Sequence, residues 1–141
     1  MFKRILVATD GSKNAENAVD HAAEIARMAD AEEVVILHVC TACTADLDPD
    51  EQNLETANRI VGESGKSLTE SGLSVRTLVE TGYPPESVGN AIIDISRDND
   101  IDLIVLGSRG LTEFKGMMLG SVSSKVVHAA DCPVMVVKEQ G

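Results

Sequence analysis

The sequence predicts a single α/β domain, covering residues 1–141, built on a five-stranded doubly wound parallel sheet with helices on both faces. Five short β-like runs alternate with four helical patterns, and four of the five runs are nearly unbroken apolar stretches. Continuous apolar runs are typical of parallel strands that are buried between two layers of helices. Strands alternating with helices also imply right-handed crossovers within one open sheet.

The predicted strands differ in one respect that indicates their position. The third run mixes polar and apolar residues, as expected of a strand near the edge of the sheet, whereas the other four are nearly unbroken apolar stretches. In chain order the five runs are Ile5–Thr9, Glu33–Cys40, Val75–Glu80, Asp102–Gly107 and Pro133–Lys138.

Four helices are predicted from apolar residues that recur at three- and four-residue spacing. Ser12 is a suitable N-cap for the first, Gly72 a stop for the second, and Pro84-Pro85 an opening for the third. Gly62 and Gly65 weaken the second pattern. The stripes are Ala15, Ala18, Ala22, Ile25 and Ala29; Leu54, Ala57, Val61 and Leu68; Val88, Ile92 and Ile95; and Val122, Val126 and Ala129.

Composition excludes some classes of partner. A net charge of −11 and an aromatic content of 2% argue against nucleic acid, which proteins hold with basic groups and aromatic stacking. No apolar stretch is long enough to span a membrane, and the amino-terminal residues are too short an apolar segment for a secretory signal. Three cysteines, an odd number, fit a reducing compartment. We therefore expect a cytoplasmic protein that binds neither nucleic acid nor membrane.

The most informative segment is GSRGLTEFKGMMLGSVSSK, residues 107–125, which follows the fourth predicted strand. Ligands of open α/β sheets bind beyond the carboxyl ends of strands, where glycines let backbone N–H groups approach an anion. The segment has a local charge of +2, from three cations against Glu113 alone. It leads into a helix at Gly120, whose N-terminus favours phosphate, and Ser121 and Ser123 add hydroxyls. This pattern predicts a phosphate site.

The spacing of these glycines, G-x2-G-x9-G-S, differs from both common phosphate loops. With this pattern the whole chain resembles the universal stress protein family, in its nucleotide-binding subclass. Matching segments are Val7–Ser12 after the first strand, Leu37–Val39 ending the second, Gly107, Gly110, Gly120 and Ser121 in the glycine pattern, and Pro133–Val137 near the end.

The resemblance implies strand order 3-2-1-4-5 and an adenine-nucleotide site between the first and fourth strands, where Asp10 and Gly107 would face each other. It implies ATP, or ADP or AMP, with Mg²⁺ carried by the phosphates. Arg109 occupies a variable position of the motif. The implied contacts are Ala8, Thr9 and Asp10 along the adenosine, the Val39 backbone at the adenine edge, Leu106 and Gly107 beside the ribose, and Gly110, Gly120, Ser121, Val122 and Ser123 at the phosphates.

Less specific interpretations remain open at this stage. The glycine segment could be only a mobile loop before a helix, and Asp10 could merely cap the first helix. Cys40 and Cys43 form a CxxC pair, but the pair does not precede a helix directly and is not part of the family pattern, so we interpret it as structural or incidental. The three histidines each fall within a predicted element, which favours packing or surface roles.

Three functions are compatible with the sequence. The preferred one is an ATP-binding regulatory module that acts in stress response, with an unidentified protein partner and no assigned catalytic residue. A slow or partner-stimulated ATPase is the second, although Glu113 is the only acid within the phosphate loop. A response-regulator receiver is a weaker third, because only Asp10 follows the first strand and the third ends in Glu80-Thr81-Gly82.

The last predicted strand, Pro133–Lys138, suggests how copies of the chain assemble. It is short and apolar, and the family's strand order places it at the edge of the sheet, where an unpaired edge invites pairing with another chain. The resemblance implies an antiparallel homodimer through this strand, around a two-fold axis.

Overall fold

The structure, a computed structural model, describes residues 2–40, 51–81, 87–108 and 120–138. All nine predicted elements are present, and the predicted strands match the observed ones to within one residue at either end. The elements are β1 (Arg4–Ala8), α1 (Lys13–Ala29), β2 (Glu33–Cys40), α2 (Glu51–Glu70), β3 (Val75–Thr81), α3 (Val88–Asp98), β4 (Leu103–Gly107), α4 (Ser121–Ala129) and β5 (Val134–Val137).

The five strands form one parallel sheet in the order β3-β2-β1-β4-β5, which confirms the predicted topology. Ala8 of β1 pairs with Leu37 of β2, and Val7 pairs with Val105 of β4. β1 therefore lies at the centre of the sheet, with β3 and β5 at its edges. The carboxyl ends of β1, β2 and β4 lie along one border of the sheet.

Alternate side chains of the central strands are buried on opposite faces. Ile5 and Val7 pack in one apolar cluster with α1 and with Val61 of α2, whereas Leu6 packs on the other face with α3 and α4. All three strand residues are fully buried, and each such side chain contributes about 1.5–3 kcal/mol to the free energy of unfolding. Burial on both faces accounts for the continuous apolar runs in the sequence.

The glycines of α2 do not interrupt the helix. A Cβ at Gly65 would lie 3.0 Å from the Thr77 side chain, so this glycine lets α2 pack closely against β3. Gly62 has no atom within 4 Å of the corresponding position. Gly72 ends the helix as predicted, with φ +89°. Its N–H donates to the Thr69 carbonyl and the Leu73 N–H donates to that of Leu68, which is the Schellman arrangement.

Candidate functional site

The predicted site lies where the chain leaves β1 and β4 toward opposite faces of the sheet. The helix that follows β1 packs on the first face, and the helix that follows β4 packs on the second. The two connections therefore diverge, which leaves a crevice beyond the carboxyl ends of the two strands. The described residues that border it come from the β1–α1 turn, the ends of β2 and β4, and the N-terminus of α4.

The β1–α1 turn is shaped by hydrogen bonds between residues that lie two positions apart in the chain. The Gly11 N–H donates to Thr9 Oγ1 at 3.2 Å, and the Ser12 N–H donates to Asp10 Oδ1 at 2.9 Å. Ser12 is the N-cap of α1, because its Oγ accepts from the Ala15 N–H at 3.2 Å. Gly11 has φ +82°, a conformation that favours glycine. Asp10 thus shapes the turn and does not cap the helix, which excludes the capping alternative.

Four of the predicted site residues belong to one apolar cluster, on the face of the sheet that α3 and α4 cover. Leu106 is buried in it, whereas the other three are half-buried and pack against it. These four are Ala8, Val39, Leu106 and Val122. Residues from three adjacent strands and α4 thus form a continuous apolar surface beside the crevice. A surface of this kind suits the flat face of an aromatic ring system.

The β1–β2 ladder ends beside Val39. The Thr9 N–H donates to the Leu37 carbonyl at 2.8 Å, and Nδ1 of His38 lies 2.7 Å from the Thr9 carbonyl oxygen. In a parallel ladder the next rung would join the Val39 N–H to that same oxygen. No such bond occurs between these described residues. The sequence suggested only a packing or surface role for His38, so this contact is a finding of the structure.

Gly107 contacts α1 closely. A Cβ at this position would lie 2.6 Å from Asn14 Oδ1 and 3.3 Å from the Asn14 carbonyl oxygen. A side chain at this position would have to displace the Asn14 side chain or α1, whether or not a ribose lies beside it. Nothing in the sequence pattern singled out Asn14, which is a buried polar residue in the first turn of the helix.

The N-terminus of α4 is held against the end of β4 by Ser108, a buried residue that the sequence reasoning missed although it directly follows Gly107. The Ser108 carbonyl accepts from the Gly120 N–H at 2.9 Å and from Ser123 Oγ at 3.1 Å. Gly120, the N-cap, makes no side-chain cap to the helix. The Ser123 hydroxyl hydrogen is used within the fold, contrary to the expectation of a free hydroxyl donor.

The N-terminus of α4 also presents backbone N–H groups that form no hydrogen bond within the helix. The first three belong to Ser121, Val122 and Ser123, and residues at these positions have no acceptor within their own helix. They lie at the positive end of the helix dipole, beside the crevice. This is the arrangement that binds phosphate oxygens in other proteins. Arg109 and Gly110, the remaining predicted phosphate residues, fall in 109–119, outside the described residues.

The three cysteines lie at different places in the fold, and one of them is outside the described residues. Cys40 is buried against Ala57 and Val79, whereas Cys43 lies outside the described residues. The structural interpretation of the CxxC pair stays a prediction. Cys132 is a free thiol at the opposite border of the sheet, and burial, with Asp102 and Asp131 nearby, raises its pKa. Across 2–40, 51–81, 87–108 and 120–138, no group of three potential metal ligands occurs.

The family model for the universal stress protein family matches residues 1–138 of this chain. The chain belongs to the universal stress protein family. Among the helices of the described ranges, none has the length and apolar character needed to cross a membrane.

Individual members of the family resemble the chain over nearly its full length. Universal stress protein YxiE of Bacillus subtilis is 35% identical and is covered completely, with 98% of this chain included. A universal stress protein of Methanocaldococcus jannaschii is 33% identical over 99% of this chain and 84% of its own length. The structure of UspA from Lactobacillus plantarum superposes with a TM-score of 0.82 at 28% identity, over 96% of this chain and 97% of its own.

Proposed function

We propose that this universal stress protein binds an adenine nucleotide, ATP, ADP or AMP, at the crevice between β1 and β4, and acts as a nucleotide-dependent regulatory module in stress response. Family members with the same fold have been solved with cAMP, with dAMP (the Archaeoglobus fulgidus protein) and with AMP (an Arabidopsis thaliana protein). At 22–23% identity these three establish the shared fold, and the proposal for this chain is based on its own residues.

The observation that carries the proposal is the combination of two kinds of surface at one crevice. Val39 presents a backbone N–H without a ladder partner next to an apolar surface, which fits the edge and the face of a purine. The uncapped N-terminus of α4 offers three backbone N–H groups for phosphate oxygens. Between them Asp10 lies on a turn with one carboxylate oxygen engaged by Ser12, so its other oxygen can accept from a ribose hydroxyl.

Mg²⁺ enters this proposal only through the phosphates of the nucleotide. The part of the chain that the structure describes contains no group of three potential metal ligands, so a magnesium ion at this site would take most of its ligands from phosphate oxygens and water. Thr9, Leu106 and Gly107 then complete the adenosine side. Arg109 and Gly110 complete the phosphate side as predictions from the family motif.

The receiver alternative is wrong. Receivers and related folds have the strand order 2-1-3-4-5, whereas this sheet has the order β3-β2-β1-β4-β5. A slow ATPase stays a prediction, which rests on the sequence of the glycine segment alone. Homodimer formation through β5, a regulatory protein partner and a cytoplasmic location likewise belong to the proposal.

The proposal is tested by identifying the ligand that the protein carries and by measuring binding. Mass spectrometry of the small molecules released by denaturing freshly purified protein should detect ATP, ADP or AMP. Calorimetry on the nucleotide-free protein should then show one site per chain for ATP with Mg²⁺. Single-turnover measurements with and without Mg²⁺ separate binding from hydrolysis. Absence of binding for all three adenine nucleotides would contradict the proposal.

A further inference from the structure

The end of the β1–β2 ladder has an unusual partner. Odd-numbered residues of β2 direct their backbone groups toward β1, as the bonds from the Glu33 N–H to the Lys3 carbonyl and from the Thr9 N–H to the Leu37 carbonyl show. The next β2 residue on that side is Val39. Its N–H faces β1 at the position where the Thr9 carbonyl would accept it if the ladder continued.

The His38 side chain occupies that carbonyl instead. Because a carbonyl oxygen only accepts, Nδ1 of His38 must carry the hydrogen and donate it across the 2.7 Å contact. The residue is half-buried, as is Val39, and its ring therefore lies at the border of the core. Both backbone polar groups of Thr9 are then satisfied by β2, one through the Leu37 backbone and the other through a side chain.

We propose that His38 is a positioning residue which ends the ladder and thereby keeps the Val39 N–H available to an acceptor nitrogen of adenine. This inference rests on the proposed function, because it concerns the same nucleotide site. A carbonyl oxygen can accept two hydrogen bonds, so the role of the imidazole is to hold the Thr9 carbonyl toward its own ring. Without the imidazole, the carbonyl is no longer held in that direction and can turn to accept from Val39. The ladder would gain one rung, and the base would have to compete with it for the N–H. His38 thus acts on the nucleotide through the backbone of its neighbour and need not contact the ligand.

A consequence is discrimination between purine bases. Adenine has an unprotonated ring nitrogen at N1, which accepts a hydrogen bond, whereas hypoxanthine has an N1–H, which donates one. A backbone N–H aimed at this edge attracts the first and leaves two donors opposed in the second. Preference for AMP over IMP is therefore a measure of how available the Val39 N–H is.

The first test compares His38→Leu with His38→Asn by calorimetry, using AMP and IMP on nucleotide-free protein. Asparagine places an amide N–H near the position of Nδ1, whereas leucine keeps bulk and removes the donor. We expect His38→Leu to weaken AMP by about five- to tenfold and to change IMP little, so the AMP:IMP preference falls. His38→Asn should retain most of the wild-type affinity for AMP and most of the preference for AMP over IMP. Wild-type affinity and preference in His38→Leu would overturn the inference, and so would equal losses in the two variants.

The second test needs no nucleotide. NMR hydrogen exchange of the wild-type protein should show the Val39 amide exchanging faster than the Leu37 amide, which lies on the same side of β2. In His38→Leu the Val39 amide should become slower. Equal protection of both amides in the wild type would overturn the inference. If the exchange results are as expected and the wild type binds no AMP, the proposed function fails while the role of His38 in the ladder is supported.

Discussion

Gly107 and Asn14 are in such close contact that a Cβ on the glycine would lie 2.6 Å from Asn14 Oδ1. A glycine of the predicted nucleotide motif therefore also sets how closely α1 packs on β4. The packing role of Gly107 can therefore be measured as a change in stability, without any nucleotide present.

We predict that Gly107→Ala lowers the free energy of unfolding by about 1–3 kcal/mol, because the added methyl group has to displace α1 or the Asn14 side chain. Urea unfolding measures the change. Gly62→Ala is a matched control, since nothing lies within 4 Å of its Cβ position. Alanine also has a higher helix propensity than glycine, so this variant should not lose stability. The double variant with Asn14→Ala should recover part of the loss. An unchanged free energy of unfolding in Gly107→Ala would show that the contact with Asn14 does not restrict the packing of α1 on β4.

The two serines of α4 should separate stability from binding. Ser123→Ala removes a buried hydroxyl that donates to the Ser108 carbonyl, so we expect a loss of about 1 kcal/mol of stability and less effect on nucleotide affinity. Ser121 is exposed at the first helical position, so Ser121→Ala should leave stability unchanged and weaken nucleotide binding. Thermal unfolding and calorimetry on both variants check this, and the reverse pattern would contradict the assignment.

Gly120→Val should weaken ATP binding by about tenfold or more, a cost of about 1.4 kcal/mol. The branched side chain would stand at the helix end where phosphate oxygens approach the backbone. The fold should persist, because Gly120 has φ −63° and ψ 162°, angles that any residue adopts. Calorimetry and circular dichroism measure the two effects, with Gly120→Ala expected to be intermediate. Wild-type affinity in Gly120→Val would mean that phosphates bind elsewhere.

Assembly can be tested at the exposed edge of β5. The Pro133 carbonyl accepts a hydrogen bond from β4, and the Val137 carbonyl accepts one from the residue that follows β4. Because the backbone groups of successive residues in a strand point in opposite directions, the N–H of Val136 points to the open edge of the sheet. Val136→Pro removes that donor and should favour monomer, whereas Val136→Thr, which keeps the N–H, should not. Light scattering at micromolar concentration measures the mass. A monomeric wild-type protein would refute the dimer.

Cys132 should make stability depend on pH in the alkaline range. Burial first, and then the negative charges of Asp102 and Asp131, raise the pKa of this thiol. The folded state thus holds the proton at pH values where the unfolded chain has lost it, and the stabilisation declines as pH rises above the unfolded value of about 8.5. Urea unfolding between pH 7 and 10 should show a smaller decline in Cys132→Ala than in the wild type. Equal declines would contradict the shift.

The elements of this protein could be predicted from its amino-acid sequence, and the sequence also predicts where along the chain a nucleotide site lies. Continuous apolar runs identify β1, β2 and β4 because burial on both faces selects apolar residues at most positions. The run of β5 is apolar too, although this edge strand is only partly buried. The Ser12 cap and the Gly72 stop were predictable because capping depends on only a few neighbouring residues. The glycine spacing, through its family resemblance, predicts a nucleotide site at the crevice between the first and fourth strands.

The amino-acid sequence does not show which polar groups near the crevice already have partners within the fold, because this depends on the tertiary structure. The donors of Gly120 and Ser123 bind the Ser108 carbonyl, the Thr9 carbonyl binds His38, and Gly107 packs on Asn14. Each of these contacts joins residues that are well separated along the chain. A one-dimensional pattern records which groups a residue carries, whereas their partners depend on the distances and orientations that packing of the elements imposes.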